Sequence, residues 1–321
     1  MEKTMFKILV ADSLPSHILE KYGRIENVTV DNKSGISKED LIKILPDYDG
    51  LVVRSRTKVT ADVLQNPGKL KAIGRAGAGV DNIDTAEATK HDIIVMNTPG
   101  GNTVAATEHT IAMLLAVLRH IPRANMSMLE KKWDKKSFTG NEIFEKTIGV
   151  IGLGKIGYGV AKRLKAFEAE ILVADPVIGK DVTDALGARL VSLDELLAKS
   201  DIITIHAPKM AETLNLISKP QLDKCKDGVV IINCARGGIV NEADLIAALD
   251  SGKVAAAGID VFSSEPPEDY SLATHPKVVA TPHLGASTDE AQIKVADMVL
   301  DQMIDYFKTN VARNAVNAPK K

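Results

Sequence analysis

The chain has 321 residues, 45% hydrophobic and 26% charged, with 40 basic against 42 acidic side chains and a net charge of −2. At roughly 150 residues per domain, this length and balance predict about two soluble globular domains. Dispersed basic residues and an aromatic content of 4% exclude a nucleic-acid footprint, and two cysteines, Cys225 and Cys234, form neither a disulfide framework nor a paired zinc spacing.

The first apolar stretch is about five residues long before Asp12, too short for a secretory signal. The longest apolar run, residues 111–118, falls below the ~20 residues of a membrane-spanning helix. The reading places the protein in the reducing cytoplasm. It expects a small-molecule substrate and no nucleic acid, membrane or metal partner.

Short β-rich runs at 6–10, 51–53, 72–73 and 93–96 predict buried strands. Between them, 15–21, 38–45, 61–65 and 85–90 read as helices. A glycine-punctuated segment after Asn97 leads into a long apolar helix over 104–118. The alternation resumes with strands at 148–151, 171–174, 202–205, 229–233, 257–261 and 278–280. This strand–helix rhythm predicts α/β architecture with two doubly wound parallel sheets. The last helix carries a capping-box pattern from Ser287 to Glu290. Its apolar residues, Ile293, Ala296, Val299, Leu300, Met303, Ile304 and Phe307, are spaced to bury one face. That face is expected to pack on the first domain, making the domain discontinuous in sequence.

The segment from Gly152 to Gly157 reads G-L-G-K-I-G, after an apolar β-branched run and before an amphipathic helix. In that context Gly152 permits a tight turn, Gly154 lets backbone approach a pyrophosphate, and Gly157 lets helix and strand pack closely. The unsatisfied N–H groups at the start of that helix would face the phosphates. Asp175, roughly twenty residues on, ends the next strand where an acid meets the adenosine ribose hydroxyls. Its charge would repel a 2′-phosphate, so the cofactor is read as NAD rather than NADP.

Three later strand ends carry Arg236, Glu265 and His283. In open α/β sheets ligands bind outside the carboxyl ends of strands. Arginine grips a planar carboxylate, glutamate holds and charges an imidazole, and histidine moves a proton near neutral pH. Together they supply what hydride transfer at a 2-hydroxy acid requires. The other histidines, His109 among them, are read as core or surface groups, with His206 near the nucleotide by position.

Residues 52–57 (VVRSRT), 74–84 (GRAGAGVDNID), 97–103 (NTPGGNT), 149–157 (GVIGLGKIG), 232–242 (INCARGGIVNE), 258–267 (GIDVFSSEPP) and 281–288 (TPHLGAST) span nearly the whole chain. In these segments the sequence resembles the D-isomer-specific 2-hydroxyacid dehydrogenase family. The resemblance implies a flavodoxin-like substrate domain of residues 1–98 plus 288–321 and a Rossmann NAD-binding domain of 99–287. It further implies an active-site cleft between them and a homodimer through the nucleotide domains, with tetramers left open. Position by position, it makes Arg236 the carboxylate grip, His283 the proton acceptor and Glu265 its partner. It places Ala78, Gly152, Gly154, Lys155, Ile156, Gly157, Asp175, His206, Ala207, Pro208, Cys234, Ala235, Arg236, Asp260, His283, Gly285 and Ala286 around NAD. Similar enzymes often carry threonine where Ala78 stands, so a hydroxyl contact there is in doubt.

Around the substrate it places Arg54, Ser55, Arg75, Ala78, Gly79, Arg236 and His283. The cations Arg54, Arg56 and Arg75, with a lysine-rich stretch at 131–136, favour a phosphorylated 2-hydroxy acid, 3-phosphoglycerate. A hydroxypyruvate or glyoxylate reductase is the near alternative, and an NADH-sensing corepressor-like binding protein is the alternative from another class. Many similar proteins continue into a small serine-sensing domain. With the sequence stopping at Lys321, no serine feedback of that type is expected.

Overall fold

The computed structural model describes residues 5–319. They divide into two compact units, one running to Asn102 and resuming at Ala286, the other Thr103–Gly285. The first unit extends a few residues past Thr98: Gly101 N–H donates back to the Thr98 carbonyl at 3.2 Å, and a Cβ on Gly101 would lie 2.6 Å from Val295 of the same unit. Gly77 N–H donates to Thr98 Oγ1 at 2.7 Å, and Thr98 N–H donates back to the Gly77 carbonyl at 3.0 Å.

The first unit has strands β1 (Phe6–Val10), β2 (Val28–Asn32), β3 (Gly50–Val53), β4 (Ala72–Arg75) and β5 (Ile94–Met96). Helices α1 (Ser16–Gly23), α2 (Lys38–Ile44) and α3 (Thr85–Lys90) connect them. All strands pair in parallel, in the order β2-β1-β3-β4-β5. That is the flavodoxin-like doubly wound order. β3 is buried along its whole length, as a central parallel strand covered on both faces must be. β2, unforeseen from its sequence VTVDN, is a half-buried edge strand whose polar residues hide the strand signal.

The second unit opens with α4 (Thr103–Leu118) and α5 (Ile121–Leu129). It continues as β6 (Thr147–Ile151), α6 (Lys155–Ala166), β7 (Glu170–Ala174), α7 (Lys180–Leu186), β8 (Arg189–Leu190), α8 (Leu193–Lys199) and β9 (Ile202–Ile205). It closes with α9 (Lys219–Lys224), β10 (Val229–Asn233), α10 (Glu242–Ser251), β11 (Val254–Ile259) and β12 (Val278–Ala280). Its seven strands are parallel in the order β12-β11-β10-β9-β6-β7-β8. Strand order reverses between β6 and β9, the switch point outside which such sheets bind nucleotides. β11 begins and ends earlier than the expected 257–261. Residues 254–259 pair with the neighbouring strand, and Val261 lies in the loop beyond.

The chain then returns to the first unit as α11 (Asp289–Thr309), burying Val295, Ala296, Val299, Leu300, Met303 and Ile304. A Cβ on Gly74 would lie 2.5 Å from Val299 Cγ2, so β4 needs glycine to seat this helix. The helix begins one residue later than the expected capping box. Thr288, not Ser287, is the N-cap, its hydroxyl accepting from Ala291 N–H at 3.2 Å. Ile293 stays exposed, whereas Phe307 stacks on Phe6 with ring centroids 5.0 Å apart.

The helix expected over 61–65 is a single turn. Val63 and Leu64 N–H both donate to the Thr60 carbonyl, burying their side chains, and Pro67 disfavours helical backbone just before it. Among the described residues no single helix is long and apolar enough to cross a membrane. α4 and α5 meet that length and composition only as a pair bent by 64°.

Candidate active site

At the switch point, β6 runs into a turn whose three glycines have different surroundings. Gly152 adopts φ +87°, a left-handed conformation that disfavours a side chain, and a Cβ there would press on the backbone of His206 and Ala207. A Cβ on Gly157 would overlap the Gly152 carbonyl, which is how α6 comes so close to β6. Around Gly154 a Cβ would meet nothing within 4 Å. This open approach is what a pyrophosphate needs. Gly154 also caps α6 without any side-chain hydrogen bond, so the first N–H groups at Lys155, Ile156 and Gly157 are not claimed by a cap.

Asp175 stands at the end of β7. Its Oδ2 accepts from Leu153 N–H at 2.7 Å, and its Oδ1 accepts from Val177 and Ile178 N–H at 2.8 and 3.1 Å. The carboxylate thus ties the glycine turn to the neighbouring loop while keeping lone-pair capacity for ribose hydroxyls. His206 follows β9, with Nε2 2.9 Å from Thr204 Oγ1. Burial pushes its imidazole down to about 4, so the ring is neutral at pH 7. Ala207 beside it is buried, and the Pro208 carbonyl accepts from Thr213 Oγ1 at 2.6 Å.

The turns after β10, β11 and β12 hold the charged trio. Asn233, 2% exposed at the end of β10, folds the Cys234-Ala235-Arg236 turn on itself. Its Nδ2 donates to the Arg236 carbonyl at 3.0 Å and its Oδ1 accepts from Ala235 N–H at 3.1 Å. Arg236 Nη1 donates to the Ala235 carbonyl at 2.7 Å. Next in the chain, a Cβ on Gly237 would overlap the Phe262 carbonyl, so this turn lies flush against the one after β11.

Glu265, on that second turn, accepts from Phe262 N–H at 3.2 Å through Oε1 and meets His283 Nδ1 at 2.6 Å through Oε2. Burial alone would push its carboxyl up. The hydrogen bond and charge of His283, the Phe262 N–H and the field of Arg236 outweigh it and hold it below the usual value. A carboxylate only accepts, so His283 Nδ1 carries the proton, leaving Nε2 with the lone pair at neutral charge.

His283 has φ +55°, a left-handed backbone uncommon outside glycine. Asp260, which has no exposed surface, braces the loop that carries it. Its Oδ1 accepts from Leu284 N–H at 2.7 Å and Thr281 Oγ1 at 2.6 Å and lies 3.1 Å from His109 Nε2. Its Oδ2 accepts from Gly285 N–H at 2.9 Å. Burial opposes charge on this carboxylate, yet the donors from His109, Thr281 and Leu284 keep it below its ordinary value. His109, read from sequence as a core or surface group, is therefore part of the site's framework. Cys234 lies in the same cluster, its thiol pushed up to about 12 by burial, with Asp260 adding to the effect.

In the first unit, Arg54, Ser55 and Arg56 follow β3. Asp12, 3% exposed after β1, organises them, accepting from Arg54 N–H at 2.6 Å, Thr57 N–H at 3.1 Å and Thr57 Oγ1 at 2.6 Å. Arg56 Nε pairs with Asp12 at 3.1 Å and Nη2 donates to the Ala11 carbonyl at 2.9 Å, so this guanidinium serves the loop itself. Arg54 Nη1 instead reaches neutral acceptors, the Ser13 carbonyl at 3.3 Å and Gln292 Oε1 at 3.5 Å. Burial lowers its basicity, with Asp12 opposing. Arg75 ends β4, its guanidinium lying across Gly77. The following loop, with Ala78 and Gly79, is held by Asn97, whose Nδ2 donates to the Ala78 carbonyl at 2.5 Å. Residues 131–136 are exposed, and Lys132 pairs with Glu130 at 2.8 Å.

The family model for the D-isomer specific 2-hydroxyacid dehydrogenase NAD-binding domain matches residues 111–285. The chain belongs to this family. Its second unit is an NAD-binding domain, and the open Gly154 turn and the Asp175 carboxylate fit that cofactor. A D-3-phosphoglycerate dehydrogenase of Archaeoglobus fulgidus is 49% identical over 314 residues, covering 98% of this chain and 59% of that protein. The chain thus spans about three fifths of the length of the curated relatives it matches. Among solved structures, a glyoxylate reductase from Paecilomyes thermophila aligns with TM-score 0.88 at 29% identity, over 98% of this chain and 99% of that one. D-lactate dehydrogenase from Aquifex aeolicus, complexed with NAD and lactic acid, aligns at 0.85 and 27% identity, over 98% and 100%.

The family's motifs made Arg236, Glu265 and His283 visible in sequence, and the structure brings Glu265 and His283 into contact with Arg236 close enough to act on Glu265. Asp12, Asn233 and Asn97 were missed. Their one sequence signal is a small polar residue at or just past the end of an apolar strand.

Proposed function

We propose that this chain oxidises 3-phospho-D-glycerate to 3-phosphohydroxypyruvate, the first step of the phosphorylated route to L-serine. The observation that carries the chemistry is the 2.6 Å contact between Glu265 and His283 in an NAD-binding domain. NAD, when bound, accepts the hydride from C2. His283 takes the C2 hydroxyl proton on Nε2 as the carbonyl forms, and gives it back in reduction. Glu265 holds the ring in that tautomer and stabilises the imidazolium. Arg236 grips the substrate carboxylate through its planar fork. Arg54 and Arg75 of the first unit take the phosphate, and the name shared by the 44–49% identical relatives supports this choice of acid. The reaction draws on the cytoplasmic NAD pool.

The test is NADH formation from 3-phosphoglycerate beside NADH consumption with hydroxypyruvate and glyoxylate. Preference for the phosphorylated acid is the expected result. Preference for the small oxoacids would keep the cofactor and the trio but remove the phosphate site. NADH binding without turnover of any of them would turn the reading toward a sensor.

The second unit also pairs with a second copy in this reading. No residue of α5 is buried, and Ile121, Met126, Met128 and Leu129 stay exposed, with Trp133 83% exposed just beyond. Sedimentation should show a dimer, and Leu129→Glu should shift it toward monomer. A wild-type monomer would refute the pairing.

A further inference from the structure

We propose that His109 is a positioning residue that acts through Asp260 on the loop carrying His283. The proposal rests on His283 being the proton acceptor.

The chain of contacts is short. Asp260 is a carboxylate with no solvent access, and a buried charge needs donors to persist. Two of them, Leu284 and Gly285 N–H at 2.7 and 2.9 Å, are the residues immediately after His283. A third, Thr281 Oγ1 at 2.6 Å, lies two residues before it. The same carboxylate therefore clamps both flanks of a histidine whose backbone is left-handed, a conformation that persists only when surroundings impose it.

His109, from α4, supplies the remaining side-chain donor. Its Nε2 lies 3.1 Å from Asp260 Oδ1 and 3.3 Å from Thr281 Oγ1. Because Asp260 only accepts and Thr281 gives its own proton to Asp260, Nε2 must carry hydrogen and point it at Oδ1. Without it, Oδ1 loses a partner that no water can replace at a fully covered atom. Thr281 and Leu284 must then re-aim toward the changed charge, and the loop between them carries His283. An imidazole displaced by about 1 Å loses rate steeply. The glycine turn and Asp175, assigned to the pyrophosphate and the adenosine ribose, have no part in this network.

The experiment uses the 321-residue chain in three variants. In His109→Leu, which removes the donor at similar size, kcat is expected to fall tenfold or more while NADH affinity, read by fluorescence titration, stays within about threefold. His109→Gln, whose amide N–H can reach Oδ1, should restore most of kcat. Thr281→Val, which strips a second donor from the same oxygen, should repeat the loss with an altered pH profile of kcat/KM, and it serves if His109→Leu does not fold. Parallel measurement of His283→Ala separates the two levels. If that variant keeps normal turnover, the proton-acceptor reading fails and this inference with it. If His283→Ala is inactive but His109→Leu or Thr281→Val turns over like the parent, only the positioning role is overturned. A kcat loss in His109→Leu that His109→Gln does not rescue would also overturn it.

Discussion

At the scale of single residues, the proposed chemistry depends on which nitrogen of His283 is free and on what shape of cation is offered to the substrate carboxylate. The Glu265 contact settles the first, because it occupies Nδ1. His283→Ala removes that lone pair and is expected to lower turnover by about 10²–10⁴ in steady-state assays, with the glycine turn untouched. Arg236 settles the second. In the proposed reaction its planar guanidinium grips the substrate carboxylate, while its charge also acts on Glu265. Lysine at this position would keep the charge and lose the plane. Arg236→Lys should therefore cost about tenfold to a hundredfold in kcat/KM, the loss of one charge-assisted hydrogen bond. Unchanged kcat/KM would move the carboxylate grip to another residue.

At the scale of elements, the site is made where turns touch, and glycines decide how closely. Gly237→Ala would drive a Cβ into the Phe262 carbonyl, a backbone atom with no easy retreat. It should destabilise by about 1–3 kcal/mol, seen as a drop of several degrees in Tm, and it should lower turnover by parting Arg236 from Glu265. Gly154→Ala is the contrasting case. Its Cβ meets no protein atom and its φ of −63° suits alanine, so Tm should hold while NADH affinity falls. Equal effects of the two substitutions on Tm would contradict this division of roles. The elements themselves were legible where residues were apolar and continuous, as in β1, β9 and β10. They were not legible where an edge position allowed polar side chains, as in β2, or where a helix buries nothing, as in α5. In the site, strand ends and family motifs disclosed Glu265 and His283. The His109–Asp260–Thr281 brace lay hidden because its members come from α4 and from the turns after β11 and β12, which only the fold brings together.

At the scale of the whole molecule, the amphipathic last helix disclosed that the first unit is discontinuous, since α11 had an apolar face to bury. The response to acid could not be read that way, because a histidine's burial is a property of the fold. His206 is held neutral, with its imidazole pushed from 6.5 down to about 4. Between those two values the unfolded chain takes up a proton that the folded chain refuses. Stability therefore rises with pH across that window, is complete above about 6.5, and is lost as pH falls toward about 4. The size is at most about 2 kcal/mol, since the residue keeps partial solvent access. Glu265 and Asp260 act lower down. Both are held below their ordinary 4.5 and 3.8, so their stabilisation is present above those values and disappears only in stronger acid. Urea unfolding followed across the pH range should thus show two falls, the milder one beginning near 6.5. His206→Asn should flatten that first fall and leave the second in place. If the variant keeps the parent's slope between 6.5 and about 4, the proton is being taken up elsewhere in the chain.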